Sequence, residues 1–431
     1  MNTQNPNFNP ILLPYDLTRG GSFYAYHGQT DVKQLALYGE DNLKAGPWLF
    51  NLGLRGDFYN GLAVQRQAEP RVGISYNVKR TGTVLRVSYA RTQETPFNEN
   101  LVLSANGCLD PVLNAIFNTS FGFCNPAPFN PGFRDEFHAG FGQNFGKHFV
   151  LNAEWITKYT HNGYDFSVFG ATPITFPIEW HNSKIPGYVL SGTLTQVKGF
   201  AARVTLSSVA ARFFDPQIGG VGATIGSAGG FPFRIDHDER FNQTTHLEYT
   251  APFRKSLYVS FNWKYDSGLV AASTPCYNAT GANSICAGRS TDANGNPLTI
   301  NGQPAVSLSY LTPDQEFQES LACDGVQATQ TQGFTICDAA GLTSSLAKIP
   351  APGTEDDDKN PSRIAPRNLF DMELGDDSIV KLGSGDRYRF GARVTAVNLT
   401  NKYALYNFLS TFSGTHYVTP RTVTAEVAFR F

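Results

Sequence analysis

The chain has 431 residues, enough for one large barrel or about two to three ordinary domains. Its 34 basic and 36 acidic residues nearly cancel, so no electrostatic footprint points to nucleic acid. Only 16% of residues are charged, while 33 Phe, 19 Tyr and 41 Gly accompany 2 Met, a profile that favours strands and turns over helices. A mean hydropathy of -0.25 and the lack of any run of about 18 apolar residues argue against a helical membrane protein. A membrane barrel shows neither sign, because its apolar residues are interleaved with polar ones.

Period-two alternation is the informative signal along the chain. Trp48, Phe50, Leu52, Leu54, Gly56 and Phe58 oppose Leu49, Asn51, Gly53, Arg55 and Asp57. Val72, Ile74, Tyr76 and Val78 oppose Arg71, Gly73, Ser75 and Asn77. Phe149, Leu151, Ala153, Trp155, Thr157 and Tyr159 form one phase of the next clear stretch. Leu257, Val259, Phe261, Trp263 and Tyr265 form that of another. About thirteen strands are predicted, over 32–44, 48–59, 70–78, 83–92, 134–145, 148–160, 186–198, 200–213, 239–251, 255–268, 362–375, 384–399 and 420–431. Most exceed the length of an average soluble strand, and about ten residues tilted near 45° cross a bilayer.

The connections between these segments alternate in length. Ala45-Gly46-Pro47, Lys79 to Gly82, Gly146-Lys147, Gly199 and Pro252-Phe253-Arg254 are short, with a somewhat longer one at 376–383. Long ones fall at 60–69, 93–133, 161–185, 214–238, 269–361 and 400–419. Short turns at one end and long loops at the other are expected of a transmembrane antiparallel β-barrel in the outer membrane. The fold class is therefore all-β, with the short turns periplasmic and the long loops outside the cell.

All six cysteines, Cys108, Cys124, Cys276, Cys286, Cys323 and Cys337, fall in the long loops. Their even number in polar segments predicts disulfides, with nearest neighbours the simplest pairing. No pair has the spacing of metal ligands, and no catalytic constellation stands out. Neither an enzyme activity, a metal nor a cofactor is expected. Tyr164, Trp180 and His181, in the aromatic loop 161–185, are the candidate ligand-binding residues, with a membrane girdle as the bland alternative. The acidic run Glu355 to Asp358 reads as a solvated face. Ala425, Val427, Phe429 and Phe431 alternate with polar residues up to the end of the sequence. Phe429 and Phe431 are the candidate assembly signal, read by the barrel-assembly machinery.

Several stretches also resemble TonB-dependent receptors of the outer membrane. These are Leu35-Ala36-Leu37-Tyr38, Leu52-Gly53-Leu54-Arg55-Gly56-Asp57-Phe58-Tyr59-Asn60-Gly61, Pro70-Arg71-Val72-Gly73 with Tyr89 to Arg91, and Glu94-Thr95-Pro96-Phe97-Asn98-Glu99-Asn100. Val397-Asn398-Leu399-Thr400-Asn401-Lys402, Ala404 to Phe412 and Gly414-Thr415-His416 complete the set. The resemblance is to the large group that often begins with a carboxypeptidase-regulatory-like domain. It implies a barrel of twenty-two strands filled by a plug that contacts TonB, importing a bulky solute such as a carbohydrate or siderophore. Neither a plug nor an export signal is found in the sequence, since Met1 to Pro10 lacks an apolar core. Residues 1–431 are therefore expected to form the C-terminal portion of such a barrel. The rival expectation is a passive porin or structural barrel complete in itself.

Overall fold

The structure is a computed structural model that describes the chain except at 1–9, 30, 62–63, 95–106, 122–123, 125–128, 169–174, 221–231, 273, 278–289, 293, 383–387, 411–413 and 431. Among the described residues a fifteen-stranded antiparallel sheet dominates. Its main path is a meander of thirteen strands, each hydrogen-bonded to the next. In chain order they are β1 (Lys33–Ala45), β2 (Trp48–Asn60), β3 (Val64–Val78), β4 (Thr83–Glu94), β5 (Gly132–Phe145), β6 (Phe149–Val168) and β7 (Thr175–Val197). There follow β8 (Phe200–Val209), β9 (Glu239–Thr250), β10 (Leu257–Asp266), β11 (Arg367–Leu382), β12 (Tyr388–Val397) and β13 (Thr422–Arg430). The two strands off this path, Arg212–Gly220 and Phe233–Arg234, pair with each other, and the former also pairs with β7.

Register carries the apolar phase of each strand onto the same face. Leu43, Phe50, Ile74, Val87, Ala139, Trp155 and Tyr188 are successive cross-strand partners from β1 to β7. Ala202, Leu247, Phe261, Met372, Ala396 and Val423 continue the pattern from β8 to β13. Many residues of this face are open to the surroundings, among them Leu37 at 62%, Leu54 at 59% and Val427 at 74% exposure. An apolar face spanning thirteen strands far exceeds the few hundred Å² that soluble surfaces tolerate, so its solvent is lipid.

Aromatic rings border this face at the turn end. Trp48 lies 4.5 Å from Tyr76 and Phe390 lies 4.8 Å from Phe429. At the other border the Tyr89 ring lies 4.9 Å from Phe137, and the Arg91 guanidinium sits 4.6 Å above Phe133. Such paired girdles mark the two interfaces of a membrane-spanning barrel.

The opposite face is polar. Arg55 binds Asp57 at 2.6 Å and Arg393 binds Glu426 at 2.6 Å. His138 is held between Glu136 and Glu154, each at 2.5 Å, while Lys158 reaches Glu136 at 3.3 Å. Facing charges of opposite sign across neighbouring strands neutralise one another where water is partly excluded.

The tight connections lie together at one end. Lys198 and Gly199, with φ of 51° and 90°, form the two-residue link from β7 to β8. A positive φ at both positions matches the twist of the flanking strands. Gly199 is also required sterically, because a Cβ there would collide with the Thr250 carbonyl.

At the opposite end the strands run further than the alternation predicts. Residues 60–69 are not a long loop, because β2 and β3 stay paired out to Asn60 and Val64. Likewise 161–185 is mostly strand: β6 and β7 pair out to Val168 and Thr175. Twenty residues of β6 span about 65 Å, more than a strand tilted across about 30 Å of hydrocarbon requires. The outer part therefore stands clear of the bilayer. There neither face meets lipid, so the hydrophobic alternation that marks a crossing strand stops while the backbone ladder continues.

The segment 269–361 is likewise not a featureless loop. It contains the strand pairs Thr299–Ile300 with Gln303–Ser307 and Leu321–Cys323 with Leu342–Ser344, together with a short helix, α1 (Pro313–Gln318). Val306, Leu308, Leu321 and Cys337 are fully buried there, with Tyr277, Leu311 and Leu342 packed against them. A second cluster, Ala271, Leu346, Ile364, Leu405 and Phe408, ties this subdomain to the connection before β13.

Candidate ligand-binding site at the outer rim

The projecting part of the β6–β7 hairpin carries the residues singled out by sequence. Tyr164 pairs in register with Glu179, and Gly163 with Trp180. Because successive side chains alternate, Tyr164, Glu179 and His181 share one face of the ribbon and Trp180 takes the other. Sequence neighbours are thus divided between two environments.

On one face Trp180 packs against a small apolar cluster of Leu12, Leu113, Ile116, Phe117 and Ile178. Its indole meets Phe233 edge-on at 4.9 Å. Leu113, Ile116 and Phe117 lie on the helix Pro111–Phe121, which Asp110 caps by accepting from the Val112 and Leu113 amides. The Cys108–Cys124 disulfide closes the loop that contains this helix.

On the other face Tyr164 donates its hydroxyl to the Asn130 carbonyl, and its ring lies 6.0 Å from that of Phe129, which is 2% exposed. Burial and the neighbouring Glu179 carboxylate raise the Tyr164 phenol above its usual range. Glu179 is 0% exposed, and the Asn130 amide donates to its Oε2 at 3.3 Å. Burial pushes the Glu179 carboxyl up to about 7. Desolvation disfavours its charged form, and among the described residues no ion pair offsets that cost. His181 is exposed.

Sequence reasoning missed Glu179. The available signal was a single carboxylate inside the apolar stretch Ile174 to Trp180. Such a residue is buried with the stretch or marks a site, since charged side chains seldom occupy such surroundings without a reason.

The acidic run 355–358 is not wholly solvated either. Asp358 is buried, binding Arg212 at 2.6 Å and Arg234 at 3.0 Å. Arg234 also reaches Asp238 at 3.2 Å, and Arg363 binds the same carboxylate from the far side. This buried network fastens the end of the 269–361 segment to the rim beside β9.

The Cys323–Cys337 disulfide staples the subdomain beside α1. Cys276 is buried, whereas Cys286 and Phe431 lie outside the described residues. Among the described residues the one close group of His, Cys, Asp and Glu ligand atoms is Cys323, Asp324 and Cys337. Its two sulfurs are bonded to each other, so neither offers a thiolate. Phe429, 49% exposed on the lipid phase, packs at a tilt against Phe390 at the turn end.

Residues 2–134 match the family described as TonB dependent receptor-like, beta-barrel. Comparison with curated proteins gave no match. Among solved structures, the FrpB iron transporter of Neisseria meningitidis (F5-1 variant) aligns at a TM-score of 0.53 and 13% identity, over 95% of this chain and 47% of that one. The ferric-catecholate import receptor Fiu of Escherichia coli K12 aligns at 0.50 and 12%, over 93% of this chain and 45% of that one. The ferripyoverdine receptor of the outer membrane of Pseudomonas aeruginosa aligns at 0.50 and 10%, over 93% and 39%. The chain thus spans less than half the length of each of these solved structures. The family match over residues 2–134, the antiparallel meander, the lipid-facing band and the rim beyond it agree on the fold: a β-barrel sheet of the outer membrane, similar over its first third to TonB-dependent receptor-like barrels.

Proposed function

We propose that this chain is the C-terminal barrel portion of a receptor that captures a bulky solute at its outer rim and imports it with energy from the TonB complex. The observation that carries the reading is the rim itself. An open pore needs an unobstructed mouth, whereas here disulfide-closed loops, a cored subdomain and a projecting hairpin stand at the outer end of the strands. A folded rim of this kind is suited to recognition. The outer edges of β1 and β13 have no partner strand among the described residues, and unpaired edges of that length are aggregation templates. Further strands and a plug, in a barrel of twenty-two, would cover them and make the contact with TonB. Phe429 and Phe431 serve as the signal to the assembly machinery. The solute belongs to the class of metal chelates or carbohydrates, with Tyr164, Trp180 and His181 at or beside the capture surface.

The test compares solute depletion from the medium by cells with and without the protein, each with and without TonB. The receptor reading requires a solute whose depletion needs both. Depletion that persists without TonB, together with stable open conductance in planar bilayers, would establish the passive porin instead.

A further inference from the structure

Two buried polar groups at the outer rim have hydrogen-bonding capacity that the fold leaves unused. Glu179 Oε1 has no hydrogen-bond partner among the described residues, although the side chain is 0% exposed. The Tyr59 hydroxyl, on a residue 2% exposed at the end of β2, has none either. Tyr59, Glu94 and Glu179 all act electrostatically on Tyr164, so β2, β4, β6 and β7 direct these groups to one place. Glu94 is already matched, since Arg134 binds it at 2.9 Å. Among the described residues Glu179 has no such cation, and its one donor is the Asn130 amide on Oε2.

Native folds rarely leave buried polar atoms unpaired, and each such atom calls for a missing partner. For Glu179 Oε1 the missing partner is a hydrogen-bond donor, best a positive one. A metal ion would need several oxygen or nitrogen ligands converging within coordination distance. No group that includes Glu179 has that spacing among the described residues. The surroundings are aromatic instead: Tyr164 next to Glu179, with Phe129 and Tyr59 gathered on the Tyr164 ring. Aromatic faces beside one carboxylate suit an organic cation, which gains from the ring quadrupoles as well as the charge.

We infer that the cluster of buried groups at the ends of β2, β4, β6 and β7 receives a protonated amine or guanidine group of the solute, with Glu179 as its counter-ion and Tyr59 as a second hydrogen-bond partner. This rests on the receptor reading above and names the chemistry of its ligand. The raised carboxyl supplies a signature, because an arriving cation ionises Glu179 and sends its proton to solvent. Tyr164 from β6 and the Asn130 amide adjoin Glu179 directly, while Tyr59 from β2 and Glu94 from β4 gather on the same Tyr164 ring.

The experiment uses the intact protein extracted from outer membranes in detergent. It is titrated near pH 6.5 with benzylammonium chloride and, as the neutral control, benzyl alcohol. Binding is followed by tryptophan fluorescence, and proton release by calorimetry in buffers of different ionisation enthalpy. The expected result is at least about tenfold preference for the ammonium, corresponding to one charge-assisted contact. Glu179→Gln should abolish the preference and the proton release, and Tyr59→Phe should weaken ammonium binding severalfold. Equal binding of the two probes, or a preference that survives in Glu179→Gln, overturns the inference. Should Glu179→Gln fail to reach the membrane, Tyr59→Phe and Glu179→Asp decide: unchanged ammonium affinity in both rejects it. TonB-dependent uptake would survive that outcome, so the receptor reading can stand while this one falls.

Discussion

At the scale of single residues, Glu179 and Glu316 make the same physical statement in different places. Both are buried, at 0% and 1% exposure, and burial raises each carboxyl from an ordinary 4.5 to about 7. Glu316 is held by the Phe334 amide at 2.8 Å, as Glu179 is by that of Asn130. A carboxyl with a raised folded value binds more protons folded than unfolded. Stability is therefore unaffected below about pH 4.5, falls as pH rises towards 7, and carries the full cost above that. A rise of that size corresponds to about 3 kcal/mol. Glutamine keeps the acceptor and removes the charge. In the absence of ligand, Glu316→Gln is expected to stabilise the 269–361 subdomain at pH 8 by up to about that amount and to leave it unchanged at pH 4. Denaturant unfolding at the two pH values checks this, and equal shifts at both would refute it. For Glu179 the sequence offered only its place inside an apolar stretch, and for Glu316 nothing, because much of what buries them lies distant along the chain.

At the scale of elements, what the sequence reveals depends on the surroundings of each strand. Segments crossing the bilayer, such as Trp48 to Phe58, show their face because lipid and lumen demand opposite side chains. The continuations Gln65 to Glu69 and His161 to Tyr164 meet no such contrast, and their strand character comes from pairing alone. In the same way α1 carries a readable signal, Thr312 followed by Gln315, and both halves of that capping box are made. The ninety-residue loop reading overlooked it, since a capping box matters only once a core exists to support the helix. Thr312→Ala should cost about 1 kcal/mol of subdomain stability. Replacing Cys323 and Cys337 together by Ser should cost about 3 kcal/mol, because the bond closes a loop with a sequence separation of 14. Proteolysis rates of the subdomain in folded protein should rank the two variants in that order. Asp238→Ala makes a stronger claim. Its carboxylate is fully buried between Arg234 and Arg363, and stranding such partners costs about 3 to 5 kcal/mol. The 356–363 segment should become protease-sensitive while β9 and β10 stay protected from hydrogen exchange; unchanged cleavage would remove the fastening role given to this network.

For the whole molecule, thirteen strands in one meander present two faces with different solvents, and a single substitution reads out which solvent each face meets. Val87 and Ser88 are adjacent on β4 and point in opposite directions. Val87 is 52% exposed in the apolar row between Ile74 and Ala139. Ser88 lies between Gly73 and His138 on the polar face. Lysine near the midplane of the lipid face costs about 2 to 4 kcal/mol, whereas the lumen face keeps water or charge partners within reach. Val87→Lys should therefore lower the amount of folded protein recovered from outer membranes, and Ser88→Lys should leave it near that of the parent. Heat-modifiable migration on gels reports the folded fraction directly. The same pair of substitutions in a soluble sheet would rank the other way, since a surface valine exchanged for lysine gains solvation. Val87→Lys accumulating as well as the parent would mean that water, not lipid, covers the apolar rows, and the barrel would lose its membrane.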